Sequence, residues 1–321
     1  MASDLWVYLA QKLAIRTQFR FPNLPFENGE LVPTVADLLP GTDEVGNLFT
    51  TGAMGEEAIL LAPGASDIPL TPFSLGTDKV GVVMAAKGYS ITWQQFRKMV
   101  RLGLQSTIEN QQIDKVRFAI AQRLNRFSAI GEPALGHTGL FNNSRVTTVN
   151  SSFNPNTATY AQWVSFFVDI VLSSGLSNDG ETILAPTTLL MPQKMLVLAA
   201  QALNPINGNV SAIQAAADQL RLQFQREPLE IIATPYASSD ILERFRIFPA
   251  GTNRDRLVVY TKDEAVLSRR IEVKIAQLVS ERFLPSVTQN MTQVFPFFSC
   301  SSATMIHDPT GVRYINTTKV L

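Results

Sequence analysis

Few residues in this sequence have side chains suited to catalysis, and their spacing assembles no reactive set. The two histidines are His137 and His307, and the one cysteine is Cys300. His137 stands among Gly136, Thr138 and Gly139. As a base it needs an orienting partner that the neighbouring sequence does not offer, so it reads as a structural loop histidine. His307, beside a turn, reads the same way. Cys300, between aromatics and serines, reads as a small buried apolar side chain. With so few histidines and cysteines there is no zinc set and no internal disulfide. The carboxylate pairs Glu56-Glu57 and Asp263-Glu264 fall in loops or turns, where solvated charge is the default. G-x-S-x-G, Walker A, G-x-G-x-x-G and H-x-x-x-H patterns are all absent. The expectation is no enzyme, no cofactor and no metal.

The chemistry that remains is charge. Arg97, Lys98, Arg101, Lys115, Arg117, Arg123 and Arg126 lie in one stretch, Thr92 to Gly131, against only Glu109 and Asp114. The chain as a whole is neutral, with 27 basic and 27 acidic residues. A basic rod in a neutral chain implies an acidic counterpart: another part of the chain, a neighbouring copy or nucleic acid. No aromatic platforms for stacking bases are interleaved, so any nucleic-acid contact is with phosphates and blind to sequence.

The element that carries these charges is predicted as one helix from Thr92 to Gly131. Thr92 with Gln95 forms a capping box. Apolar residues recur at helical spacing: Phe96, Met99, Val100, Gly103, Leu104 and Thr107, then Ile113, Val116, Ile120, Leu124 and Phe127. Gly131 and Pro133 supply the stop. At 1.5 Å per residue such a helix is about 55 Å long. It must cross a sheet as a spine or extend beyond one core. The polar interruption at Glu109–Gln112 argues against a coiled coil.

The acidic counterpart has a candidate within the chain. From Phe21 to Asp67 there is no lysine or arginine, but there are Glu27, Glu30, Asp37, Asp43, Glu44, Glu56, Glu57 and Asp67. Residues 21–55 are also rich in proline and glycine, which excludes a long helix or a central strand. Their apolar residues are too many for a solvated linker. An extended arm lying on other protein surface, of its own chain or a neighbour, satisfies both facts. Residues 57–89 read as extended segments, EAILLAP, DIPLTPF and DKVGVVMAAKGYSI. Such a ribbon has no core of its own and needs packing from elsewhere.

Residues 157–265 alternate helices and apolar strands, the pattern of a compact α/β domain. Helices are predicted over ATYAQWVSFFVDIVLSSG, over PQKMLVLAAQAL with Pro192 at its first turn, and over SAIQAAADQLRLQF capped by Ser211. Strands are predicted at TTLLMP, LEIIATPYA, ILERFRIF and RLVVYTKD. Residues 271–321 return to extended chain. The first residues, MASDLWVYLAQKLAIR, read as a short amphipathic helix rather than a secretory signal. No apolar run reaches the length of about 18 residues that a membrane span needs. An arm and a ribbon that cannot stand alone are the mark of self-assembly, in which neighbours supply the missing core.

In this order of parts the sequence resembles the Hong Kong 97-type major capsid proteins of tailed bacteriophages, a fold shared with encapsulin shells. The local match is Gly131-Glu-Pro-Ala-Leu-Gly136-His-Thr-Gly139-Leu140-Phe141-Asn142. It resembles the G…G-x-x-G-L-L-N loop by which many such chains leave the spine helix, with Phe141 in place of the second leucine. The turn and strand Asp308–Ile315 resemble the last peripheral strand. The resemblance implies an α+β fold with an N-terminal arm (1–55), an E-loop ribbon (56–89), a peripheral domain (90–156 and 266–321) carrying the spine helix 92–130, and a compact axial α/β domain (157–265).

The resemblance also implies a function. Copies would form hexamers and pentamers of an icosahedral head around double-stranded DNA, in a virion assembled in the host cytoplasm. Portal, scaffolding and decoration proteins would be further partners. The basic helix residues would face DNA or neighbouring subunits, and arm and ribbon would lie on neighbours. Some relatives cross-link a ribbon lysine, but Lys79 and Lys87 are far from the expected tip at Pro63–Ser66, so no cross-link is expected. The arm begins directly at Met1, implying a separate scaffolding protein or none. Two alternatives stay open: an encapsulin-type compartment holding a cargo enzyme, and an enzyme of unknown type centred on 157–265.

Overall fold

A strand of unusual length organises half of the structure. The computed structural model describes residues 31–38, 44–51, 74–101, 105–132, 135–173, 185–206, 208–223, 227–271, 276–277 and 292–320. Strand β1 is Thr34–Val35, β2 is Glu44–Thr51 and β3 is Ser74–Thr92. At about 3.3 Å per residue, β3 runs on the order of 60 Å. No single partner spans it. Its first half pairs antiparallel with β2, from Glu44 opposite Gly81 to Thr51 opposite Ser74. Its second half pairs with a later strand, Thr292–Ser302, from Ser302 opposite Val82 to Thr292 opposite Thr92. The expected segments EAILLAP and DIPLTPF lie outside the described residues, as does the expected N-terminal helix.

At Thr92 the chain passes from strand to helix without a loop. Helix α1 is Trp93–Arg101 and α2 is Gln105–Ile130; residues 102–104 between them are outside the described set. The capping box forms as expected. Gln95 N–H donates to Thr92 Oγ1 at 3.3 Å, and Thr92 N–H donates to Gln95 Oε1 at 3.0 Å. Val116, Ile120, Leu124 and Phe127 are buried along one face of α2. The first three form a cluster with Ala85 of β3 and Phe297 of the 292–302 strand, so the helix lies over the ribbon that precedes it. Val100 departs from the expected stripe: it is exposed, while Met99 beside it is buried.

After α2 come β4 (Gly131–Glu132), β5 (His137–Thr138) and β6 (Thr147–Asn150). Then follow α3 (Tyr160–Ser173), β7 (Thr188–Met191), α4 (Gln193–Gln201), α5 (Ala212–Gln223) and β8 (Glu230–Ala233). Helix α6 is Ser239–Arg244, and β9 is Arg254–Tyr260. The last strands are β10 (Leu267–Arg270), β11 (Ala276–Gln277), β12 (Thr292–Ser302), β13 (Met305–Ile306) and β14 (Val312–Thr318).

Two expectations are corrected here. Residues 241–248, expected as a strand, start within a helix instead. The cause lies sixteen residues away: the buried Asp255 carboxylate accepts the N–H of Ser239 at 2.8 Å and fixes the first turn of α6. The C-terminal strand, which by resemblance was the last peripheral strand, pairs within the sheet that also holds β7, β8 and β9. That sheet has five strands in the order β6-β14-β9-β7-β8. β14 is parallel to β6 and antiparallel to β9, filling a central position.

Both faces of this sheet are buried, which explains the unbroken apolar runs of β7 and β9. Leu189, Met191, Leu257, Val259 and Ile315 face helices α3, α4 and α5. Leu190, Val258, Tyr260 and Tyr314 face the other way, onto the end of α2, the loop after it and α6. Leu31 and Val32 of the arm close this second core, each at most 1 % exposed. The Tyr260 hydroxyl donates to Leu31 O, and β1 pairs in parallel with β10. This part of the arm therefore lies on its own chain; residues 1–30 are outside the described set.

Candidate functional site

The glycine loop is built by close backbone approach. Gly131, the first residue after α2, has φ +76°, and Gly139 returns against it. A Cβ on Gly139 would come within 2.5 Å of Gly131 N and 2.6 Å of Ala129 O. A Cβ on Gly131 would meet His137 O at 2.2 Å. Only hydrogen fits at either place. The approach lets the loop satisfy carbonyls at the helix end: Leu140 N–H donates to Ser128 O at 3.0 Å and Phe141 N–H to Ala129 O at 2.9 Å. Asn142 Oδ1 accepts the N–H of Gly139 at 2.5 Å and closes the turn. Gly136 differs; its φ is +73°, but a Cβ there would point into open space. Leu140 and Phe141 are fully buried.

Two residues that sequence reading did not single out hold this loop onto the sheet. Tyr314 Oη accepts the Asn143 N–H at 3.0 Å and donates to Leu140 O at 2.7 Å. Burial, the largest influence, raises its pKa well above the ordinary phenol value, so it stays a neutral donor. Arg256 Nη1 donates to Phe141 O at 2.7 Å, and its guanidinium lies 4.5 Å from the Phe248 ring centre and 4.9 Å from that of Tyr314. Burial lowers its pKa from the usual arginine value. Alternating polarity in β9 was the only available signal for Arg256. Its partners lie 115 and 60 residues away in sequence.

The histidines have structural positions. The His137 ring covers the backbone of Gly81 in β3, where a Cβ would meet it at 2.1 Å, and meets Phe127 edge-on at 6.1 Å. His307 Nε2 lies 2.7 Å from Ser268 Oγ. Cys300 is buried among Leu38, Val45 and Met305, as its sequence setting implied. Among the described residues no group of histidine, cysteine or acid side chains is placed to hold a metal ion. No described helix is long and apolar enough to cross a membrane.

The basic residues of the spine divide into two sets. Arg123 pairs with Glu132 just beyond the helix, and the guanidinium of Arg126 lies 5.3 Å from the Phe245 ring centre. Both are therefore engaged within the chain. Arg97, Lys98, Arg101, Lys115 and Arg117 are exposed. They lie away from the face that buries Met99, Val116 and Ile120. In the acidic arm, Asp37 forms an ion pair with Arg270 of the same chain.

This geometry is a scaffold: pinned loops, a long ribbon under a long helix, and an exposed basic row. Comparison with known proteins decides which scaffold. The family profile described as "Major capsid protein" matches residues 56–317. The chain belongs to the major capsid protein family. No curated protein sequence matches it. Among solved structures, the capsid of Myoviridae phage XM1 superposes with a TM-score of 0.65 at 12 % identity, covering 96 % of this chain and 98 % of that one. The capsid of the native GTA particle gives 0.60 at 9 % identity, covering 94 % and 99 %. Gordonia phage Cozz gives 0.52 at 10 %, covering 92 % and 86 %. These likenesses carry the fold, which is Hong Kong 97-like, and the family carries the role. This major capsid protein is a structural shell component of a virion. An encapsulin compartment is not favoured by these matches.

Proposed function

We propose that this major capsid protein closes an icosahedral head of hexamers and pentamers around double-stranded phage DNA, assembled in the host cytoplasm. The observation that carries the DNA part is the exposed basic row Arg97, Lys98, Arg101 and Arg117, for which no ion pair is found among the described residues. Such a row offsets phosphate charge without reading sequence. On this reading residues 1–55 are the arm, 56–89 the E-loop, 90–156 and 266–321 the peripheral domain, and 157–265 the axial domain completed by β14. The loop Gly131, Gly136, Gly139, Leu140 and Asn142 fixes how the spine joins the axial sheet. Lys115, Arg123 and Arg126 belong to the same basic helix, the last two with partners in their own chain. A portal, scaffolding proteins and decoration proteins are the further partners of such a head.

One reconstruction of the assembled particle tests the reading. It is expected to show a closed shell with Arg97, Lys98, Arg101 and Arg117 divided between the interior and acidic neighbour surface. A row that points to the outside of the shell refutes the DNA part; a chain that forms no particle refutes the whole.

A further inference from the structure

We infer that Ile206 of one copy seats in an apolar pocket of the next copy, so that neighbours join knob into hole around a ring. The knob sits on the connection between α4 and α5, where Ile206 is 89 % exposed. That connection is a braced hairpin. Leu203 and Ser211 pair as an antiparallel bridge, Asn204 N–H donates to Val210 O at 2.9 Å, and Ala212 N–H donates to Ala202 O at 2.9 Å. Nearer the tip, Gly208 N–H donates to Asn204 O at 2.8 Å, and Asn204 Oδ1 accepts the Ile206 N–H at 2.8 Å. Ile206 is thus presented on a fixed backbone, and little conformational freedom is lost when it is buried. From Met195 to Ala217 the sequence has no charged residue, and Val197 and Leu203 are exposed as well. Absence of charge around an exposed apolar anchor is the composition of an interface core.

The hole lies between α3, α5 and β8. It is a partly open pocket of about 30 Å³, walled by Phe167, Ile213, Ala217, Leu220, Leu229 and Ile231, and no polar residue lines it. That is room for about two water-sized groups, the bulk of the ethyl arm of one isoleucine. Water finds no hydrogen-bond partner among these side chains, so an apolar group is the favoured occupant. The chain's own Ile206 does not fill the pocket; it is exposed on a hairpin whose bonds fix its position. A second copy supplies the same side chain without that restraint. Because knob and hole are different surfaces, each copy offers its knob to one neighbour and its hole to the other. Head-to-tail contacts of this kind close rings when the rotation allows, as hexamers and pentamers require. The inference rests on the shell reading above.

Assembled particles test it. Ile206→Asp changes an exposed side chain, so its free subunit is expected to melt as the parent does. Its particles are expected to release several-fold more subunit at a fixed denaturant concentration, and those of Ile206→Val only slightly more. Ile206→Asp particles as resistant as the parent overturn the inference. Ile206→Cys combined with Ala217→Cys is expected to link copies, on oxidation, into a covalent ladder up to the full ring on a non-reducing denaturing gel, with neither single variant linked. Links in Ile206→Cys alone show that tips meet tips, and links that stop at dimers show a two-fold contact; either result overturns the inference, as does a double variant with no link. If the parent chain forms no particle, the shell reading fails first, which separates the two failures.

Discussion

Gly136 and Gly139 stand three residues apart in one loop and answer to different constraints. At Gly139 a Cβ would collide with backbone atoms of the helix end. Gly139→Ala is expected to cost about 3 kcal/mol, seen as lost soluble yield and a lower melting temperature. At Gly136 only the left-handed φ of +73° opposes a side chain. Gly136→Ala is expected to cost about 1 kcal/mol, with particles still formed. Asp255 supplies a pH dependence of known sign. Burial, the first cause, raises its pKa above the ordinary carboxylate value, against the lowering effect of the Val320 and Ser239 N–H groups. Between the unfolded and the raised native pKa the folded chain binds more protons, so Asp255 makes stability fall as pH rises through that window. Unfolding midpoints measured across the window are expected to fall less steeply for Asp255→Asn. The spacing of the glycine motif was legible in sequence because backbone constraint leaves glycine as its trace. Tyr314, Arg256 and Asp255 were not legible, since each acts on partners far along the chain.

At the scale of elements, the signals that worked were local. Thr92 and Gln95 announce the start of α1, and Ser211 announces α5, where Gln214 N–H donates to Ser211 Oγ at 3.3 Å. A second capping box, Thr159 with Gln162, starts α3. Thr92→Ala is expected to lower stability by about 1 kcal/mol, measured by thermal unfolding, because it frees the N–H of Gln95 at the exposed first turn of the spine. What failed was the assignment of short apolar runs. Residues 241–248 carry no period that separates a strand from one and a half turns of helix, and the deciding contact comes from β9. The position of β14 was unreadable for a related reason: seven residues suited to a strand do not say which sheet they join.

For the whole molecule, the neutral sum of charges hides a basic row on one element and a long acidic stretch on another. Combined Arg97→Glu, Lys98→Glu and Arg101→Glu substitutions are expected to leave shells that still close but retain less DNA, with a deficit that shrinks as salt is raised. Particle density in a gradient and the ratio of absorbance at 260 to 280 nm report both. None of the three side chains packs in the described cores, so the folded subunit should survive the change. The central place of β14 has a consequence in time. Every other strand of that sheet leaves the ribosome before it, and β6 and β9 cannot be joined until residue 318 has emerged. Until then the helices α3 to α5 cover a sheet that lacks its second strand, the one between β6 and β9. A nascent chain halted near residue 300 is therefore expected to remain protease-sensitive throughout 147–260. Emergence of β14 is thus expected to set the moment at which the sheet can close and a subunit becomes fit to join a growing shell.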